Sequence, residues 1–297
     1  MNIIVLIKTV KVIYAQTGTD LKNNYIGPDD ILHTLNPSDE LALEYALAIR
    51  DQVPETRIKA ISLGNALAEK GLRRAIAMGV DEVTHIQCEE IETLDAWAVA
   101  SILAPACRRR GFDLVLSGAS TPDDNAGLVG QYTAQMLRVP HLSGVVQIEA
   151  PDAGGQSVIH RRVERGDRQI LSCRLPALFS IQKGTVTARY PVLSGFLRAE
   201  SWSIPKTSAV ELMEGNASAA QAESLTEVLE FVKPGPKKRE EPTEKKKKMS
   251  AMDRLKAVTK KGSSTKKESG NLIDGDSDQV LVRLDTVFKE TGILEES

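Results

Sequence analysis

Residues 112–137 read "FDLVLSGASTPDDNAGLVGQYTAQML". The run "FDLVL" is nearly continuous in apolar side chains, the pattern of a strand covered on both faces. "SGASTPDDNAGLVG" is rich in Gly, Asp, Asn, Ser and Pro, which mark a loop. The stretch from Asp124 to Arg138 reads as a helix. Strand, Gly-containing loop and helix in that order make half of a βαβ unit. The loop carries two carboxylates, Asp123 and Asp124, and no Lys or Arg. An anionic ligand would find no cationic side chain there. Backbone N–H groups at a helix start supply partial positive charge without one. Gly127 and Gly130 let backbone and ligand approach closely. Asp123 or Asp124 then caps the helix or accepts hydrogen bonds from ribose hydroxyls. The plainer alternative is a capped helix with no ligand.

The same alternation runs back to the N-terminus. "IIVLI" (Ile3–Ile7) predicts a first strand, followed by a polar loop. "NPSDELALEYALAIRD" predicts a helix with Asn36 as N-cap, Pro37 at the first helical position and Asp39 three residues past the cap. Leu41, Tyr45, Ala48 and Ile49 share its apolar face. "RIKAISLG" (Arg57–Gly64) and "DEVTHIQ" (Asp81–Gln87) are further strands. Helices are expected over Asn65–Met78, ended by Gly79, and over Leu94–Arg110, ended by Gly111. Four strands alternating with helices imply right-handed crossovers and a parallel sheet. "NPSDE" and the 117–131 loop then fall on the same edge of that sheet, where open α/β sheets place ligands.

Beyond residue 140 the pattern changes. "VVQIEA", "QSVIHRRVE", "RQILSCRL" and "ALFSIQ" are short β runs with "PDAGG" and "RGD" between them. They predict an antiparallel hairpin and a further strand appended to the sheet. Helical periodicity past Tyr190–Pro191 is weak. From Lys233 to Lys267 the chain holds 14 Lys/Arg against 4 Asp/Glu, an excess of +10, so the remainder carries −12. Body and tail have opposite signs. The tail, with "EKKKK" and "TKKGSSTKKESG", has no interleaved aromatics and reads as a solvated linker, with no nucleic acid expected. Asp278–Ile293 reads as a short amphipathic helix. The domain plan is an α/β domain over 1–225, a Lys-rich linker over 226–270 and an arm helix over 271–297.

Several chemistries lack their residues. Cys88, Cys107 and Cys173 form no CxxC, which argues against a zinc site or disulfide framework and fits a reducing compartment. The four histidines show no ligand spacing; His85 reads as a satisfied core residue. No G-x-S-x-G elbow, P-loop or metal cluster is present. No run reaches the ~18 apolar residues of a membrane span. A soluble, cytoplasmic protein is expected.

Taken in order, these segments resemble the β subunit of electron-transfer flavoproteins. "VLIKTV" (Val5–Val10) is similar to that family's opening strand with its Lys, and "NPSDELALEYAL" to its N-P-x-x-E-x-A-x-E-x-A pattern. "AIAMGVDEVTHI" resembles its A-M-G-x-D segment. "DLVLSGASTPDDNAGLVGQYTAQML" resembles its strand, D-x-D-x-G-x-x-G loop and helix. "IHRRVERGDRQILSCRLPAL" is similar to its signature hairpin, and "ARYP" (Ala188–Pro191) to the approach to its partner-recognition loop. The matches span residues 1 to about 200. This chain departs from the pattern at Asn125, where the family often has a third acid, and at Leu128, where Gln is common. It departs also at Arg165, which replaces a small or acidic residue, and at Phe179, which replaces an aliphatic one.

The resemblance implies an adenine nucleotide alpha hydrolase-like α/β fold, with a mainly parallel twisted sheet, flanking helices, an appended β hairpin and an extended C-terminal arm. It implies a heterodimer with an electron transfer flavoprotein alpha subunit, a shared FAD, and AMP or a second FAD in the β-subunit crevice. Contacts carry over to Leu6 and Leu63, to Asn36, Pro37, Ser38 and Asp39, and to Asp123, Asp124, Asn125, Ala126, Gly127, Leu128 and Val129. Arg189, Tyr190 and Leu193 would dock an acyl-CoA dehydrogenase-type donor, and a quinone-linked oxidoreductase would accept the electrons. The chain would be a carrier of electrons in fatty acid or acyl-CoA oxidation, without turnover of its own. Two alternatives are an ATP-pyrophosphatase-like enzyme, whose S-G-G-x-D-S loop is missing after the first strand, and a binding module built on the basic tail.

Overall fold

Side chains alternate across a strand, and β1 (Asn2–Leu6) shows what that does here. Ile3 and Val5 enter one apolar cluster, while Ile4 and Leu6 enter another on the opposite face. A strand buried on both sides needs helices on both sides. The computed structural model describes residues 1–13, 31–184, 186–213, 224–226 and 282. The chain divides into two units, Met1–Phe231 and Val232–Ser297. The Lys-rich 233–270 stretch lies outside the described residues, as does the predicted helix over 278–293 apart from Val282.

The first unit is built on a nine-stranded sheet in the order β11-β5-β4-β1-β6-β10-β7-β8-β9. The strands are β1, β4 (Arg57–Gly64), β5 (Glu82–Gln87), β6 (Leu114–Gly118), β7 (His141–Ile148), β8 (Gln156–Arg162), β9 (Arg168–Arg174), β10 (Ala177–Ile181) and β11 (Lys206–Ser208). Pairing is parallel from β11 through β7, and β8 and β9 continue it antiparallel. Helices α1 (Pro37–Gln52) and α2 (Ala68–Met78) cover one face with Leu43, Leu47, Leu72 and Ile76. Helices α3 (Ala96–Arg110) and α4 (Val129–Leu137) cover the other with Ile102, Leu103, Ala134 and Leu137.

The mainly parallel α/β sheet with flanking helices agrees with the sequence reading, and several features differ from it. The polar loop after β1 contains β2 (Thr9–Ile13), which pairs antiparallel with β3 (Ile31–Leu35) in a separate two-stranded sheet. The strand "ALFSIQ" is not appended at the edge. As β10 it lies between β6 and β7, and Phe179 is fully buried there. The weakly periodic stretch after Pro191 forms α5 (Leu193–Ser201), which packs on α2, and is followed by α6 (Ala209–Met213). The burial of α1 extends beyond the expected face to Ala42, Leu43, Ala46 and Leu47, because that helix is wedged between the sheet and its neighbours. His85 is buried; its Nε2 pairs with the Gly64 carbonyl at 2.9 Å, while Nδ1 makes no hydrogen bond and lies 3.8 Å from Glu69 Oε1.

Candidate functional site

Strand order reverses between β1 and β6: from β1 the chain builds outward through β4 and β5, then returns to lay β6 on the other side. At such a switch point the following loops run to opposite faces and leave a crevice at the carboxyl ends of the strands. A crevice of about 720 Å³ opens there. Ligand pockets span roughly 300–1,000 Å³.

Asp39 sits at the base of the crevice and is 4% exposed. Its Oδ2 accepts from the Lys8 amide at 2.7 Å, and its Oδ1 from the Gly118 amide at 2.8 Å. This corrects the capping arrangement expected from its position three past Asn36. The carboxylate ties the ends of β1 and β6. Burial pushes its pKa up to about 7 despite those bonds. Only glycine fits at 118, since a Cβ there would collide with Asp39 Oδ1.

Lys8 answers the charge question raised by the loop. Its Nζ lies 3.0 Å from Asp123 Oδ2 and 3.0 Å from Asp124 Oδ2. Burial pushes both carboxyls up, but hydrogen bonds involving Thr121 and Lys8 outweigh it and leave both below their usual range. Asp123 and Asp124 therefore do not cap a helix. The helix α4 begins at Val129 rather than Asp124, because Asn125 and Gly127 take positive φ values of 51° and 63°. Its N-cap residue, Leu128, gives no side-chain hydrogen bond. The first turn of α4 thus has no side-chain cap where Leu128, Val129 and Gly130 line the crevice. Gly130 packs on the Ser117–Ser180 hydroxyl pair, and a Cβ there would lie 2.6 Å from Ser180 Oγ. An uncapped helix start on a close-packed glycine suits an anionic group held by backbone N–H. The residues present fit a nucleotide phosphate.

Of the expected contacts, Leu6, Asp39, Leu63, Asp123, Asp124, Ala126, Gly127, Leu128 and Val129 line the crevice together. Asn36, Pro37, Ser38 and Asn125 are not among the lining residues. Asn36 instead stitches loops: its amide donates to the Lys8 carbonyl at 2.9 Å and its Nδ2 to the Ser120 carbonyl at 3.2 Å. Ser38 packs against Gly118. The sequence reading missed Lys8, Asp95, Trp97, Tyr132, Leu225 and Thr226, all of which line the crevice. The Lys in "LIKTV", one residue past an apolar run, was the only local sign of any of them.

Arg189, Tyr190 and Leu193 do not line the crevice. Arg189 forks onto Glu44 of α1, with Nη2 at 2.9 Å from Oε1 and Nε at 3.0 Å from Oε2, and reaches Asp51 at 2.8 Å. Glu44 raises the Arg189 pKa further above its usual value. The clamp fixes the turn into α5, where Tyr190 and Leu193 are 78% and 74% exposed. Arg74, paired with Glu40, lies 5.2 Å over the Tyr190 ring. The result is an exposed apolar patch on a rigid base.

The fold and this site define a doubly wound α/β protein with a crevice at its switch point. The electron transfer flavoprotein domain profile matches residues 29–220. The electron transfer flavoprotein subunit beta of Syntrophomonas wolfei subsp. wolfei is 29% identical over 234 residues, covering 79% of this chain and 87% of that protein. That of Bacillus subtilis is 32% identical over 205 residues, covering 67% and 76%. The subunit CarD of the caffeyl-CoA reductase-Etf complex of Acetobacterium woodii is 31% identical over 185 residues, covering 62% and 67%. The chain belongs to the electron transfer flavoprotein family, as a beta-type subunit. Membership implies electron transfer and association with flavin. Among the described residues no helix is long and apolar enough to cross a membrane.

Proposed function

We propose that this chain pairs with an electron transfer flavoprotein alpha subunit, shares an FAD with it, and holds an adenine nucleotide, AMP or the adenylate half of a second FAD, in the β1–β6 crevice. The uncapped start of α4 carries this reading. Its N–H groups meet the phosphate, Gly127 and Gly130 admit it closely, and Asp123 and Asp124 accept from ribose hydroxyls. Leu6, Leu63, Asn36–Asp39 and Asp123–Val129 form or support the pocket.

FAD, when bound, supplies the redox chemistry. This chain's part is to shape one wall of the flavin pocket, hold the nucleotide and present Arg189, Tyr190 and Leu193 for docking. The donor is an acyl-CoA dehydrogenase-type protein and the acceptor a quinone-linked oxidoreductase, in the cytoplasm. The Acetobacterium woodii relative is named for a complex with a CoA-ester reductase, which supports CoA-ester oxidoreductases as the class of partner. The chain turns over no substrate of its own. The test is to add an acyl-CoA and an acyl-CoA dehydrogenase to the co-purified two-subunit complex. Bleaching of its flavin absorbance is expected. A flavin bleached only by a donor of another class would overturn the donor assignment.

A further inference from the structure

The crevice extends past the α4 start to the beginning of α3. There Trp97 of α3 and Tyr132 of α4 meet edge to face, ring centroids 5.5 Å apart at 80°. Leu225 and Thr226 line the same region. Leu225 is 70% exposed.

One side chain holds the strap Ser224–Thr226 in place. Asp95 caps α3 through Oδ1, which accepts from the Ala98 amide at 2.9 Å. Its Oδ2 serves the strap, accepting from the Leu225 amide at 2.6 Å, the Thr226 amide at 3.0 Å and Thr226 Oγ1 at 3.2 Å. The Ser224 hydroxyl accepts from the Asp95 amide at 3.0 Å and donates to the Thr93 carbonyl at 3.1 Å. Helix cap and strap share one carboxylate, an oxygen each.

We propose that Ser224–Thr226 is the outer wall of the compartment that takes the nucleotide's base, and that Asp95 is the latch that keeps it shut. The inference rests on the reading of the crevice as an adenine-nucleotide site. Paired aromatic rings suit a planar heteroaromatic base. A base seated against them covers the exposed Leu225 side chain. For the base to leave, the strap lifts and breaks three hydrogen bonds to an ionised carboxylate, which are stronger than neutral ones. Asp95 is a positioning residue, acting through the strap.

Asp95→Asn separates the two tasks. Asn caps helices about as well as Asp, so its oxygen keeps α3 capped while its NH₂ group meets the three donors of the strap. The measurement uses the full chain co-purified with its alpha-type partner. Release of radiolabelled AMP is followed by chase, and hydrogen exchange is read at the Leu225 and Thr226 amides. Asp95→Asn is expected to speed both, release by about tenfold or more, from the loss of bonds to a charged acceptor. Ser224→Ala, which leaves the carboxylate in place, gives a smaller acceleration in the same direction. AMP that leaves both variants at the parent rate, while the strap amides exchange faster, overturns the wall. Strap amides still protected in Asp95→Asn overturn the latch. A complex that binds no adenine nucleotide overturns this inference together with the reading beneath it.

Discussion

The carboxylate of Asp39 lies 2.8 Å from the Gly118 amide, and its other oxygen lies 2.7 Å from the Lys8 amide. One buried side chain from α1 thereby joins the strand ends on either side of the switch point. The two amides donate to separate oxygens, so an amide side chain in its place satisfies one and opposes the other. Asp39→Asn is expected to destabilise the fold by about 1–3 kcal/mol, the cost of an unmet buried donor, as read by urea denaturation. The crevice should lose nucleotide affinity in the same variant.

Asp39 also sets a pH dependence. Its pKa in the fold is about 7 against an ordinary 3.8, because burial disfavours the charge. A carboxyl raised in the native state contributes stability that is fully present below pH 3.8 and lost as pH rises through about 7. Asp123 and Asp124 act oppositely: their depressed values give stability present above the ordinary range and lost in acid. Above the ordinary carboxylate range the Asp39 contribution sets the slope. Urea unfolding should show stability falling as pH rises from that range to about 7 and levelling beyond it in the parent chain, with a flatter profile in Asp39→Asn.

Gly130 tests the close approach at α4. Its missing Cβ would stand 2.6 Å from Ser180 Oγ and 2.8 Å from Ser117 Oγ, both buried. Gly130→Ala is expected to displace the start of α4 and weaken nucleotide binding at least tenfold, about 1.4 kcal/mol. Adding Ser180→Ala removes the nearer oxygen and should restore part of the affinity by titration calorimetry. A general loss of fold would not be repaired this way.

The proposed docking patch separates stability from recognition. Leu193 is largely exposed, so Leu193→Ala should leave the unfolding midpoint nearly unchanged, within about 0.5 kcal/mol. The same variant should raise the KM for the donor dehydrogenase with little change in kcat. Arg189→Ala differs, because the Glu44 side chain is only 10% exposed and loses the guanidinium, keeping the residue-189 backbone amide at 2.8 Å. A stability loss of about 1–3 kcal/mol is expected, held to that range because Arg189 is itself partly exposed.

Much of this was legible from local pattern. β1, β4 and α1 announce themselves because burial on both faces demands continuous apolar runs, and because Asn36 and Pro37 mark a helix start. β2 and β3 did not, since Thr9–Ile13 is short and its partner begins only at Ile31, 18 positions after Ile13. The place of β10 inside the sheet is a matter of pairing, which alternating side chains do not encode. α4 was read five residues early because Asp124, Asn125 and Gly127 suit both a helix start and the turn that precedes one. The charge balance of the loop was illegible for a simpler reason: its cation, Lys8, is 115 residues away from Asp123 along the chain.

The most direct test of the central claim is the identity of the nucleotides released when the co-purified complex is denatured. An adenine nucleotide in stoichiometric amount with this chain, AMP or a second FAD, is expected beside the one shared FAD. A complex that releases one FAD and no other adenine nucleotide, with none taken up on adding AMP or FAD, would contradict it.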